Sequence, residues 1–345
     1  MRSYKIYIFN VMNGKRIIKI SLFLTILCLF GCNSTQKQQK MTKNSKKMVI
    51  AHRGASGYLP EHTLAAKAMA YAIHPDFLEQ DLVLSKDDVP IVIHDIHLES
   101  VTDVAQQFPD RKREDNRFYV IDFTYNELLQ LNVTERFDSK TGKTIYKGRF
   151  PLQKSHFKLH SLQDEIEMIQ GLNKSTGNNI GIYPEIKDPE FHLQSGKDIS
   201  TVVLKILSNY GYNTKKDNCI LQCFDAKELK RIRTELKSKL FLVQLMEFED
   251  DEKQLREYAT YADGLGPWYK GLLKGKDKHG NWKTNNLVRL AHDLNLVVHA
   301  YTFRVDDLGE FSSFDDLLNV GFNTLELDGV FTDFPDKAVS FLNKE

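Results

Sequence analysis

Apolar and polar positions change period repeatedly along the 345-residue chain. Apolar runs of strand length alternate with longer segments whose apolar residues recur at helical spacing. The run at 48–51 is followed by an Ala-rich helical stretch at 64–72. A second run at 77–82 meets a third at 89–93 across the polar turn 85–88. That link is too short for a right-handed crossover, so the pair is predicted to be an antiparallel hairpin. Residues 99–160 then keep no regular period, apart from a short helical piece at 125–131. This exceeds an ordinary loop and marks an insertion, about 96–160, that forms a small cap. From 162 the alternation is regular. Helices are predicted at 162–170 (capped by Ser161), 199–210, 226–235, 252–261, 284–294 and around 315–318. Strands are predicted at 180–186, 219–224, 240–245, 262–265, 296–303 and 330–333. With the hairpin strand set aside, eight strands begin near 48, 77, 180, 219, 240, 262, 296 and 330. The pattern predicts an α/β fold, a (β/α)8 TIM barrel over 48–340 with the cap after its second strand. An open doubly wound sheet is the alternative. It normally carries a Gly-rich phosphate loop, and neither G-x-G-x-x-G nor G-x-x-x-x-G-K-S/T occurs.

The N-terminus changes the picture of where the barrel resides. Lys15, Arg16 and Lys19 precede an apolar run at 20–30, which closes in L-F-G-C. The run is short for a bilayer span, and a basic-then-apolar order is that of a secretory leader. It reads as a bacterial lipoprotein signal over 1–31, cleaved before Cys32, whose thiol takes the lipid; a signal anchor is the alternative. Residues 32–47 are polar and aperiodic, a disordered tether. The expected location is the cell envelope, at the outer membrane or facing the periplasm. The chain has 47 basic and 46 acidic side chains; five basic and no acidic ones lie in the leader, leaving 42 against 46, a net −4. That balance excludes a basic nucleic-acid footprint. Cys219 and Cys223 lie four apart in one strand, too extended for a bridge, and read as buried thiols.

Chemistry gathers where strands end. M-V-I-A-H-R-G-A-S-G-Y-L-P-E-H at 48–62 delivers His52 and Arg53, with Gly54 and Gly57 allowing a close turn. Glu79 and Asp81 are two apart on a strand and share a face, as do Glu185 and Lys187. The hairpin brings His94 back towards them, and Gln222 ends the fourth barrel strand. All of these open on one mouth of a barrel. Glu79, Asp81 and Glu185 form an all-oxygen set that suits one divalent ion, calcium or magnesium. No H-E-x-x-H or Cys–His spacing supports zinc, and no G-x-S-x-G supports a serine nucleophile. Arg53 suits phosphoryl oxygens. Lys187 suits them too, or balances the carboxylates. Two histidines can divide base and acid work near neutral pH. These are parts for cutting a phosphate ester.

The same blocks carry a family resemblance. H-R-G-A-S-G-Y-L-P-E-H-T at 52–63 resembles the signature of the glycerophosphodiester phosphodiesterases, which usually ends P-E-N-T. L-E-Q-D at 78–81, V-I-H-D at 92–95, Y-P-E-I-K at 183–187, L-Q-C-F-D-A at 221–226, H-A-Y-T-F-R at 299–304 and D-G-V-F-T-D-F-P at 328–335 follow in family order. R-F-Y-V-I-D-F-T at 117–124 and the stretch 169–187 resemble its periplasmic or lipoprotein bacterial branch. The likeness covers roughly 48–336. It implies a TIM barrel with an inserted cap, calcium dependence, and hydrolysis of small glycerophosphodiesters such as glycerophosphocholine to sn-glycerol 3-phosphate and an alcohol. It implies His52 and His94 as the acid–base pair, Arg53 and Lys187 at the phosphate, and Glu79, Asp81 and Glu185 on the metal. His62 stands where asparagine is usual, outside the ligand and acid–base positions, so local loop hydrogen bonding is what it is expected to alter. Glu61 is read as an outer partner that orients the loop or a histidine. Rival readings keep the fold: a phosphodiesterase for a glycerophosphate polymer or a lysophospholipid, or a non-catalytic surface-binding lipoprotein.

Overall fold

The computed structural model describes residues 46–247 and 251–344. Cys32 and the leader lie outside the described residues, as does the tether apart from Lys46 and Lys47. β1 (Met48–Ala51) leads to α1 (Leu64–Ile73), whose cap Thr63 accepts the Ala66 N–H. β2 (Phe77–Leu84) turns back into β3 (Pro90–Val92), antiparallel with Leu82 opposite Val92. After a long excursion comes α2 (Leu162–Thr176), closed by left-handed Gly177. Then follow β4 (Gly181–Ile186), α3 (Ile199–Asn209), β5 (Ile220–Cys223), α4 (Ala226–Thr234), β6 (Phe241–Met246) and α5 (Glu252–Tyr258). β7 (Gly264–Pro267), a hairpin of β8 (Leu273–Lys276) and β9 (Trp282–Thr284), α6 (Leu287–Asp293), β10 (Val297–Phe303), α7 (Phe314–Asn319), β11 (Gly329–Thr332) and α8 (Pro335–Leu342) complete the chain.

Eight strands are parallel and ordered β1-β11-β10-β7-β6-β5-β4-β2, and β2 pairs again with β1. The sheet therefore closes, and the doubly wound alternative falls. The chain is a (β/α)8 barrel. Inside it, Ile50, Phe77, Tyr183, Ile220, Val243 and Phe331 form an apolar plug. Outside, one continuous core joins strands to helices. The excursion between β3 and α2 has its own core, from Leu98 and Val101 through Phe118, Phe123 and Leu128 to Leu159, seated on Val83 and Ile91 of the hairpin. Its basic cluster is internally paired: Arg111 with Glu127, Arg113 with Asp122 and Arg117 with Glu99. No helix among the described residues is long and apolar enough to cross a membrane. Cys219 and Cys223 are free and buried.

Two predicted elements shift. The sixth barrel strand is Gly264–Pro267, two residues later than expected. A Cβ at Gly264 would sit 2.7 Å from Val297 and one at Gly266 2.5 Å from Leu245, so this wall needs glycines that hide its strand character. The helix predicted from 284 begins at Leu287, because Trp282–Thr284 pairs with β8 in a hairpin that lacks apolar alternation.

β2 rests on a buried ionic network. The Lys67 ammonium donates to Glu165 Oε1 (2.8 Å) and to the Glu79 carbonyl, Gln80 donates to the same Glu165 oxygen (2.7 Å), and His160 Nε2 meets Oε2 (2.8 Å). Burial alone would raise the Glu165 pKa; Lys67 and His160 outweigh it and hold it at about 2, against an ordinary 4.5. A lowered folded pKa gives stability that is full above 4.5 and is lost as pH falls towards 2. Lys67→Met should cost about 3–5 kcal/mol at neutral pH, since it strands a buried carboxylate. Urea midpoints measured from pH 6 downward check this: the wild type should weaken below about pH 4.5 and the variant should follow a flatter slope. Parallel slopes would refute it.

Candidate active site

Barrel closure sets the neighbours at the mouth. Ala51 pairs with Thr332, so the next residues, His52 and Asp333, meet: His52 Nδ1 lies 2.6 Å from Asp333 Oδ1. Phe303 also pairs with Thr332, which places Arg304 Nε 2.7 Å from Asp333 Oδ2. On the other side Asp81 registers with Glu185, and Glu185 with Gln222. The turn after β3 puts His94 Nδ1 2.5 Å from Asp95 Oδ1. His52, Arg53, Glu79, Asp81, His94, Glu185, Lys187 and Gln222 all line one cavity of about 200 Å³. A groove of about 820 Å³ runs outward from His94, Glu185, Lys187 and Phe224.

The loop after β1 is held in an uncommon path. Arg53 and His62 both have left-handed backbones (φ 57° and 58°), a conformation that costs energy in residues with a side chain. A Cβ at Gly54 would lie 2.8 Å from the Ala66 backbone, and one at Gly57 2.4 Å from the Phe334 ring. The loop therefore needs glycine at both positions to sit this close. Its reward is an anchored Arg53, whose N–H donates to Glu79 Oε2 (2.6 Å) and whose guanidinium bonds both Glu61 oxygens (3.0 Å each).

Each candidate imidazole is fixed by a carboxylate. Asp333 and Asp95 are held well below the ordinary range, against burial, by the cations and imidazoles around them, so both act as acceptors. Nδ1 of each histidine donates, and Nε2 is left as the free nitrogen. Removal from water and the nearby Arg53 lower both histidines to about 4, with Lys187 adding to the effect on His94. Both rings are neutral at pH 7.

The carboxylates crowd each other. Burial and its acidic neighbours raise Glu79 well above the ordinary range, and burial together with Asp81 raises Glu185 to about 8. Asp81 is held low despite burial, chiefly by Lys187 and His94. Its Oδ1 is buried without a hydrogen-bond partner. A cation among these oxygens would satisfy that atom and relieve the repulsion, so the donor set fits a hard divalent ion. Among the described residues His62, Glu79 and Asp81 form one such donor group, with ligand atoms within 4.8 Å of one another. Glu185 stands beside them, its Oε1 drawn to the Lys187 ammonium at 2.7 Å.

Two outer residues take definite partners. His62 sits beside the ligand set: its left-handed backbone turns the imidazole onto Asp81, with Nε2 2.8 Å from Oδ2. Glu61 holds the loop rather than a histidine, the first of its two expected roles: it bonds Arg53 and Arg136. The histidine partners Asp95 and Asp333 were not singled out from the sequence, nor was Arg304. A carboxylate directly after a strand on the mouth side is the signal that marks Asp333.

Known proteins place the chain in a family. Residues 52–337 match the glycerophosphoryl diester phosphodiesterase family. The glycerophosphodiester phosphodiesterase of Haemophilus influenzae is 49% identical across 91% of this chain and 95% of its own length. That of Treponema pallidum is 39% identical across 87% and 93%. The fold is similar to that of an Oleispira antarctica phosphodiesterase in complex with the product sn-glycerol-3-phosphate, with a TM-score of 0.59, 20% identity and coverage of 86% of this chain and 96% of that one. The chain belongs to the glycerophosphoryl diester phosphodiesterase family.

Proposed function

We propose that the chain hydrolyses small glycerophosphodiesters to sn-glycerol 3-phosphate and a free alcohol by two-histidine acid–base catalysis beside a divalent metal. The observation that carries this reading is the paired arrangement His52–Asp333 and His94–Asp95 on one cavity, which leaves two free Nε2 atoms around Arg53, Lys187 and the carboxylates. Arg53 and Lys187 receive the phosphoryl oxygens. One imidazole takes the proton of the nucleophile, water or the neighbouring glycerol hydroxyl. The other gives a proton to the departing alcohol oxygen, its basicity lifted by the bound phosphodiester anion. Glu79, Asp81 and Glu185 would hold one calcium ion, with magnesium the alternative, which would supply charge neutralisation and acidify a bound hydroxyl. The alcohol leaves through the groove beside His94. Incubation with glycerophosphocholine, with and without a calcium chelator, tests this: glycerol 3-phosphate and choline should form only without chelator. Choline phosphate as the product, or chelator-insensitive turnover, would sink it.

The reading extends to the periplasmic or lipoprotein branch, with residues 1–31 as signal, 32–47 as tether, 48–340 as the catalytic domain and about 96–160 as its insertion. Cys32 carries lipid and tethers the enzyme to the cell envelope. Cys32→Ser should block processing and lipid labelling; a variant still labelled with radioactive palmitate would remove Cys32 as the anchor.

A further inference from the structure

Arg136 and Arg149 both come from the excursion between β3 and α2, and each reaches a carboxylate that holds one of the two imidazoles. Arg136 Nη1 donates to Asp95 Oδ2 at 2.6 Å, while Asp95 Oδ1 takes the His94 bond. Arg149 Nη2 donates to Asp333 Oδ2 at 2.7 Å, while Asp333 Oδ1 takes the His52 bond. One oxygen of each carboxylate thus takes the imidazole and the other an arginine of the excursion, joined on Asp333 Oδ2 by Arg304 (2.7 Å) and on Asp95 Oδ2 by the Ser100 hydroxyl (3.0 Å). Both guanidiniums are well buried, with side chains 15% and 4% exposed, and so are strongly directional partners. Arg136 also grips both oxygens of Glu61 (2.7 and 3.0 Å), the residue that holds Arg53. Arg149 is anchored by Asp306 (2.8 and 3.1 Å) and lies 3.7 Å over the Tyr146 ring.

We infer that the insertion is a positioning subdomain: through Arg136 and Arg149 it fixes the Asp95–His94 and Asp333–His52 pairs, and so sets the acid–base machinery of the barrel it covers. A carboxylate bonded only to an imidazole can rotate about its Cα–Cβ and Cβ–Cγ bonds and carry the ring with it. A guanidinium on the second oxygen narrows that freedom, on Asp333 together with Arg304 and on Asp95 together with Ser100, and its charge restrains the carboxylate from stripping the imidazolium of its proton. Arg149 serves His52 alone. Arg136 serves His94 and, through Glu61, the Arg53 grip on phosphate. The inference rests on the two-histidine reading, and its test separates the two.

The experiment uses the full chain with glycerophosphocholine and glycerophospho-p-nitrophenol, measuring kcat, KM and calorimetric calcium affinity. Arg149→Met should lower kcat by roughly 10–100-fold, the range for loss of a partner that orients an imidazole. KM and calcium affinity should stay within about 2-fold. Arg136→Met should lower kcat similarly and raise KM. The decisive arm is the double-variant cycle. With His52 already Ala, Arg149→Met should cost less than about 2-fold, whereas with His94 Ala it should keep its full cost; Arg136→Met should show the reverse pattern in kcat. Arg149→Lys, which keeps the charge, covers the case where Arg149→Met fails to fold. Equal costs of Arg149→Met in the wild type and with His52 Ala would make Arg149 a mere anchor and overturn the inference. Near-normal activity of His52→Ala and His94→Ala would instead overturn the two-histidine reading itself.

Discussion

His52→Ala and His94→Ala should each cut turnover of glycerophosphocholine by roughly 10²–10⁴-fold, the usual worth of a positioned acid or base, with fold and calcium affinity retained. The geometry makes the two losses separable. Each ring has Nδ1 committed to its own aspartate and keeps one free nitrogen for chemistry. Choline is a poor leaving group and needs its oxygen protonated as the bond to phosphorus breaks. p-Nitrophenol leaves readily as an anion and does not. The variant without the general acid should therefore recover most of its rate on the nitrophenyl ester, while the variant without the base should stay slow on both. Kinetics on the two esters assign the roles. Equal rescue of both variants would mean that neither acts as the acid, and near-normal turnover on glycerophosphocholine would dismiss both.

Strand ends were legible because the barrel converts sequence position into place. An apolar run followed at once by His52–Arg53, or one carrying Glu79 and Asp81 two apart, specifies side chains at a common mouth before any coordinate is known. The hairpin was legible from the shortness of its link alone. Closure was not fully legible. Asp333 meets His52 only because β1 and β11 join in the register Ala51–Thr332, and nothing local in either segment encodes that pairing. Arg136 and Arg149 were hidden for a related reason: the excursion lacks a repeating period, so its arginines could not be given a direction. The partner of His62 was hidden by its backbone. A left-handed residue turns its side chain where a strand or helix pattern does not predict, here onto Asp81. The glycine-bearing sixth barrel strand and the β8–β9 hairpin show the same limit, since close packing and turn chemistry there replace the apolar alternation that marks the other strands.

Asp81→Asn should weaken calcium binding by more than roughly 100-fold, beyond the loss seen when only an outer partner of a ligand is removed. The change keeps size and hydrogen-bonding shape but removes the charge on the residue that occupies the centre of the set. Asp81 Oδ2 touches His62 at 2.8 Å, Asp81 registers with Glu185, and its buried Oδ1 faces Lys187 at 3.8 Å without a hydrogen-bond partner. Without its charge, Lys187 and Arg53 would face a site with less negative potential to offer a cation. Glu79→Gln should act in the same direction, with an added effect on the loop, because Glu79 also receives the Arg53 N–H at 2.6 Å. Activity should fall in parallel with affinity and return, at least in part, as calcium is raised, whereas the histidine variants should gain nothing from added calcium. Calorimetry and rate measurements over a calcium series check both halves. Glu185→Gln and His62→Asn in the same series decide which of the two flanking groups completes the site: a loss of affinity confined to His62→Asn would replace Glu185 as the third donor. Unchanged affinity in Asp81→Asn would remove the metal from the carboxylate set altogether.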